Sequence, residues 1–513
     1  MARDYNAIQK EIALTGFFSE YLPPCFQLNN AVLKHPPAKE CDLIPPLNFS
    51  MSRFNKNGAR RTIFIPEIGS YVAAYQCMKD KKIMQELIEF SEKSDHSLSP
   101  ILGENDTIMR HDQVYGSISP NKSESKYIDN IIKKIKLSAG AKKILKLDIS
   151  NCYSSFYMHM IPAIILGSEQ AAEEYKKSKR NESCTERYTK YSELDKAIRR
   201  QNLNRTNGLL PGILSSRIIT ESLLTRIDIE LESTGLQFIR YVDDYEVFLY
   251  DDDEKNAISI FTQKLKSYGF TLNAEKTEVV DFPYYVVENF NKILGNKLEK
   301  KISSEDLIDI FDAFQRLEKN GTKGAIRYLV KELIQKSEEL KVHDKDLCKS
   351  YLLSIMANDE RSLTKVCQFL IENKRDFPLT KSEIATISQL LDKHISYEHE
   401  LESLWLLYLL AETDNIKIDD TDLFQKIIET RNELAYLLLL EYSNLSDSQI
   451  NQIIHNAESW LLLYELFSRD CISEDVLIDR LNLDKNLNMY KYLKRDRFHF
   501  IQKRPALEAI PEF

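Results

Sequence analysis

The spacing of apolar residues changes character near residue 300, and that change constrains the fold more than any other feature of the chain. Upstream, KILKLDIS and FIRYVDDYEVFLY carry alternating or continuous runs of Ile, Val, Phe and Tyr, the pattern of buried strands. IITESLLTRIDIELE and AISIFTQKLKSYG have helical spacing instead. Irregular alternation of the two predicts an α+β domain. Downstream, SEDLIDIFDAFQRLEKNG, KGAIRYLVKELIQKS, DKDLCKSYLLSIMAND and SLTKVCQFLIENK repeat apolar residues at i, i+3, i+4 and i+7, and strand signals almost vanish. ESLWLLYLLAE, NELAYLLLLEYS and ESWLLLYELFS, starting at Glu402, Asn432 and Glu458, recur at spacings of 30 and 26 residues. That near-period predicts helical hairpins stacked as an α-solenoid, with an irregular bundle as the alternative. The expected division is an α+β unit over residues 1–295 and an all-α unit over 296–513.

Composition excludes several classes. With 43% hydrophobic and 29% charged residues among 513, the chain is globular rather than disordered. No stretch approaches the ~18 apolar residues of a membrane span, and the N-terminus has no leader-like apolar run, so a soluble cytoplasmic protein is expected. The eight cysteines show no CxxC or Cys/His pairing and read as reduced thiols rather than a zinc site. Residues 51–200 hold 26 basic and 19 acidic residues, whereas residues beyond 300 hold 28 basic and 38 acidic. Phosphates would be drawn to the first segment and kept off the second, unless the imbalance is the ordinary fluctuation of a large chain.

The strongest local signal is Tyr241-Val242-Asp243-Asp244, set between two strand-like runs and so read as the turn of a β-hairpin. Adjacent carboxylates on a tight turn repel each other; they suit a divalent cation, which takes hard oxygen ligands. A plain polar turn is the alternative for an isolated pair. Asp148 ends a second apolar strand, Ile144–Leu147, where a carboxylate is costly if buried without a cation or donor. Beside the hairpin it would complete a three-carboxylate cage for phosphoryl transfer with two metal ions.

The order of these segments resembles the reverse transcriptases. LKLDISNCY resembles the palm strand with the first aspartate, GLLPGILSSR the turn and helix under template and nucleotide, YVDD the second metal-binding hairpin, and LNAEKT the segment after it. FNKNGARRTIFIP looks like the fingers hairpin. The resemblance implies Mg2+, or Mn2+ in its place, held by Asp148, Ile149, Asp243 and Asp244. It implies Lys276 as the lysine that protonates departing pyrophosphate. Tyr153 would be the aromatic gate against a ribose 2′-hydroxyl, making deoxynucleotides (dNTPs) the substrates. Lys56, Arg60 and Arg61 become candidates for gripping the triphosphate, and Pro211, Gly212 and Ser215 for lining the nucleotide site. Solvated loop charge is the alternative for Lys56, Arg60 and Lys276, and a core aromatic for Tyr153.

DISNCYSSFYMHMIPAI and GLLPGILSSRIITESLL further resemble bacterial abortive-infection (phage-defence) reverse transcriptases, which carry a HEAT-like helical-repeat domain in place of the usual thumb. His159, in the Tyr153–His159 run of that resemblance, is given no catalytic role. The turn reads Leu210-Pro211-Gly212-Ile213, without the glutamine that templated members usually place between Pro and Gly. The resemblance therefore implies protein-primed, template-independent DNA synthesis in a bacterial cytoplasm. Single-stranded DNA would end covalently attached to a tyrosine or serine, the candidates being Tyr5, Tyr21 or a tyrosine on the helical part facing the palm. A homo-oligomer is expected, and a phage or host protein trigger is compatible with it. An RNA-templated reverse transcriptase and a non-catalytic nucleic-acid sensor are the rival readings. The segment Gly167–Asn207 reads either as a basic channel with Tyr175, Tyr188 and Tyr191 for base stacking or as a solvated helical insertion.

Overall fold

The computed structural model describes residues 3–35, 41–52, 60–103, 106–109, 127–251, 253–285, 290–295, 297–336, 340–416 and 421–503. Among them the chain is mostly helical, with 24 α-helices and six strands. β1 (Leu47–Ser52) and β2 (Arg60–Ile65) form one antiparallel hairpin, registered from Leu47↔Ile65 to Ser52↔Arg60. β3 (Lys143–Asp148), β4 (Gln237–Tyr241), β5 (Asp244–Leu249) and β6 (Glu278–Asp281) form an antiparallel sheet in the order β4-β5-β3-β6.

Period-two alternation divides the sheet's two faces. Leu145, Leu147, Tyr245, Val247 and Leu249 point into the main core, packed with the helices Leu214–Glu232 and Glu254–Ser267. Ile144, Ile239 and Phe248 turn to a small second cluster with Leu98 and Ala141. The edge of β4 is covered by the segment around Ser97, since Leu98 N–H donates to the Arg240 carbonyl at 2.7 Å and Arg240 N–H to the His96 carbonyl at 2.8 Å. A covered edge cannot pair with another chain.

Beyond residue 303 the regular elements among the described residues are all helices. Ala325–Gln335, Glu360–Glu372, Glu400–Glu412, Glu433–Tyr442, Trp460–Ser468 and Leu487–Arg495 lie side by side in an inner row, each touching the next. The three near-repeats fall on three consecutive members of this row, and helices such as Lys345–Asn358 and Lys381–Ser396 form an outer layer. The polar breaks double as helix starts: Ser303, Thr380, Ser446, Ser459 and Ser473 each accept a hydrogen bond from a first-turn amide.

The period change near 300 does not separate two cores. Phe49, Ile63 and Ile65 of the β1–β2 hairpin share one core with the inner row, while the sheet keeps its own. Trp405 donates its indole N–H to the Tyr21 carbonyl at 2.8 Å, and Trp460 to the Ile65 carbonyl at 3.4 Å. Ser50 and Ser52 of β1 donate main-chain N–H groups to Glu400 at 2.7 Å and Glu402 at 3.1 Å. Glu67, fully buried, accepts from two amides of its own helix and from Asn486 and Tyr490. A buried carboxylate survives when its lone pairs are filled in this way. Among the described residues no helix is long and apolar enough to cross a membrane.

Candidate active site

The β3–β5 register brings Asp148 directly opposite Asp244. Asp243 follows Val242 in the two-residue connection from Tyr241 to Asp244, and its carbonyl accepts the Ile149 N–H at 3.2 Å. All three carboxylates therefore gather at one end of the sheet. The Ile149 side chain is buried, and its carbonyl takes no part in the two bonds, Ser150 N–H to Thr271 and Asn273 N–H to Asp148, that flank its bridge to Leu272.

Electrostatically the site is dominated by its carboxylates. Burial, and then the neighbouring carboxylate of Asp148, hold Asp243 above the ordinary carboxylate range. Asp244 is pushed up to about 7 by burial, by Asp243 and by a hydrogen bond with Asp148. Like charges this close cannot all ionise without a counter-cation. The nearby cation is Lys276, whose Nζ lies 2.5 Å from Asp148 Oδ1, while Asn273 Nδ2 donates to Oδ2 at 3.1 Å. The donor set, three carboxylates with an adjacent main-chain carbonyl, fits a hard divalent ion such as Mg2+. Both Asp148 oxygens are turned to Lys276 and Asn273, so the three aspartates do not form a closed ligand cluster; the tight three-ligand cluster among the described residues lies elsewhere.

The turn is held from beneath by charges the sequence reading did not single out. Val242 has φ 56°, a conformation that costs a β-branched residue about 1–3 kcal/mol. Ser99 Oγ accepts its N–H at 3.0 Å, and the Arg240 guanidinium donates to its carbonyl at 2.9 Å. Arg240 is wholly buried between Glu221, at 2.9 Å, and Asp228, at 2.8 Å, and Tyr245 donates its hydroxyl to Asp228 at 3.1 Å. Glu221 and Asp228 stand two turns apart on Leu214–Glu232, hence on the one face that meets the hairpin. Two acidic residues seven apart in a buried helix, with an arginine inside a strand, were the available signal.

Of the other candidates, Arg61 is exposed on β2 and close enough to lower the proton affinity of Asp243. Arg60 is not open to a triphosphate: its guanidinium bonds Glu402 and Ser50 Oγ and lies 3.8 Å from Glu360. Lys56 lies outside the described residues. Tyr153 is half-buried against the main core on the short helix Cys152–Ser155, its hydroxyl pushed up by burial. Pro211 and Gly212 dock on β2, with Phe64 N–H donating to the Pro211 carbonyl at 2.9 Å. Gly212 has φ 110°, and a Cβ there would stand 2.5 Å from Ile63 Cγ2, so only glycine allows the approach. Ser215 is no open nucleotide contact: it is buried, with Oγ unpartnered among the described residues. His159 is hydrogen-bonded to Asp195 at 2.8 Å, a packed histidine. The Gly167–Asn207 segment folds into Ser168–Lys179 and Glu186–Arg200, and Tyr188 and Tyr191 are buried, which removes them from base stacking. Tyr175 is half-buried beside His159.

Residues 77–329 match the family described as reverse transcriptase (RNA-dependent DNA polymerase), so the chain carries a reverse-transcriptase domain. The match begins after the β1–β2 hairpin and ends inside the first member of the inner row. Solved structures that resemble the chain include telomerase from Candida albicans in complex with the TWJ fragment of telomeric RNA, at 12% identity and TM-score 0.30, covering 75% of this chain and 63% of that one. Telomerase from Candida tropicalis resembles it in the corresponding RNA complex (12%, TM-score 0.32, 78% and 64%) and in the apo form (11%, TM-score 0.33, 76% and 66%). The chain spans slightly under two thirds of each, and likenesses this distant carry no functional argument. No curated protein matches the sequence.

Proposed function

We propose that this chain is a metal-dependent DNA polymerase of the reverse-transcriptase type, acting by protein-primed, template-independent synthesis in antiphage abortive infection. The observation that carries the polymerase reading is Asp148 facing Asp244 across β3–β5, with Asp243 on a turn fixed by Arg240 and Ser99. Asp148, Asp243, Asp244 and the Ile149 carbonyl would hold Mg2+ or Mn2+, which supplies charge neutralisation for the attacking hydroxyl and the pyrophosphate. Arg61, on the exposed side of β2, would meet the triphosphate. Lys276, resting on Asp148, would be released toward the leaving group and give it a proton. Tyr153 would close the pocket against a 2′-hydroxyl.

The finer reading rests on the abortive-infection resemblance and on two features of this chain. Pro211 is followed directly by Gly212, which lies flat on β2 with no intervening glutamine side chain to set a template. The β1–β2 hairpin is built into the core of the helical array, whose two-layer stack suits a HEAT-like solenoid. A bacterial cytoplasmic setting, a homo-oligomer, a covalent single-stranded DNA product and a phage or host protein trigger belong to the same proposal.

The test is incubation of the full chain with Mg2+ and each labelled dNTP, without primer or template, beside Asp243→Ala. Label that migrates with the wild-type protein on a denaturing gel and is lost on proteolysis is the expected result. Incorporation that occurs only with added RNA and primer would replace this reading by RNA-templated reverse transcription.

A further inference from the structure

Three side chains outside the palm converge where the helical array meets the β1–β2 hairpin. Glu360 opens the helix Glu360–Glu372, His394 lies in the last turn of Lys381–Ser396, and His399 caps the start of Glu400–Glu412. One ligand atom from each lies within 4.8 Å of the other two. The two imidazole Nδ1 atoms are 3.0 Å apart, and His399 Nδ1 is 3.5 Å from Glu360 Oε1. Ligand atoms about 2.0–2.1 Å from a tetrahedral zinc ion are separated by roughly 3.3 Å, so these three need little movement to share one ion.

The backbone arranges this meeting. Glu398 takes φ 53°, and His399 N–H donates to the His394 carbonyl at 2.9 Å, folding the link between two helices into a tight reversal that aims both rings at Glu360. The surrounding charges admit a cation. Arg60 and Lys393 are the positive groups that act on the rings, and Glu360 and Glu402 are the negative ones. Arg60 is itself bonded to Glu402.

We propose that Glu360, His394 and His399 bind one divalent transition-metal ion, Zn2+ foremost, that fastens the helical array to the β1–β2 hairpin. Two imidazoles and one carboxylate form a borderline donor set that favours zinc over the hard Mg2+ suited to the palm. Both rings bind as neutral ligands, as their burial favours. The single proton now shared between the Nδ1 atoms leaves Nδ1 and an N–H forms at Nε2 of the same ring, so no net proton is released. Glu360 coordinates through Oε1 and keeps Oε2 toward Arg60, 3.8 Å away, so the ion is linked through Arg60 to Ser50 on β1. Three protein ligands leave a fourth position for water.

Full-length protein stripped with a chelator is titrated with Co2+ by visible absorption, and Zn2+ is then added in competition. One tetrahedral site per chain is expected, weakened at least about 10–100-fold by His399→Gln and by Glu360→Gln and unchanged by Asp243→Asn. Glu360 has a side chain 43% exposed, so its substitution tests the site without emptying a core. Unaltered affinity in Glu360→Gln and His399→Gln, loss of the site in Asp243→Asn, or no tetrahedral absorption at all would overturn the proposal.

Discussion

The palm turn and the inner row of the helical array use burial for opposite ends. In Glu400–Glu412 every residue from Leu401 to Ala411 is buried, and all but Glu402 and Ser403 of these are apolar or aromatic. Stability there comes from area, at about 25 cal/mol per Å² of apolar surface. Beneath Val242 the molecule buries Arg240 with Glu221 and Asp228, charges whose desolvation offsets most of their attraction. Such a network adds little net stability and fixes one geometry. The palm holds an otherwise unfavourable turn in place, whereas the array holds itself together and grips the hairpin next to the palm.

The sharpest way to break the comparison is Asp243→Ala. Synthesis should fall at least about a hundredfold, with thermal stability unchanged or raised because a repelled charge is gone; a large drop in Tm would mean that the turn carries structure as well. Next, Arg240→Met should cost about 3–5 kcal/mol by leaving two carboxylates unpaired, as should Trp460→Ala through its cavity. Combining Arg240→Met with Glu221→Gln and Asp228→Asn should restore much of the stability in urea unfolding but not the synthesis. Recovery of both would show that the network has no positioning role. A smaller effect is expected of Tyr153→Ala: discrimination against ribonucleotides, measured as a ratio of kcat/KM values, should fall about 10–100-fold.

A further expected effect is a pH dependence. Asp244 has its folded value raised to about 7, against ~3.9 in an unfolded chain. The folded state therefore holds the proton more tightly. Without divalent metal, this group's contribution to stability is present below about pH 4 and is lost as pH rises through about 7. Asp244→Asn should flatten that part of the profile. Mg2+ competes with the same proton, so its apparent affinity should rise with pH up to about 7 and then level off; a pH-independent affinity would remove Asp244 from the metal site.

The carboxylates were legible because strand periodicity and an Asp-Asp pair are local signals, and the register then set Asp148 against Asp244. Arg60 and Arg61 were candidates alike; Arg61 lies exposed within β2, whereas the fate of Arg60 depends on Glu402, 342 residues away. Ser215, a candidate by resemblance, and Tyr188, a candidate for base stacking, are both buried by helix packing. The sequence carries no spacing signal for Glu360, His394 and His399, which meet only because three helix ends do.

By itself the sequence determined the alternation of strand and helix, the helical array after residue 300, and the carboxylates on strand ends. Each of these is written in residues a few positions apart. Tertiary structure alone decided that the β1–β2 hairpin belongs to the array's core, that Arg240 braces the Val242 turn, and which charges stay open to a ligand. Burial and ion pairing join residues hundreds of positions apart, and the free energy of a charge depends on those distant partners rather than on its neighbours along the chain.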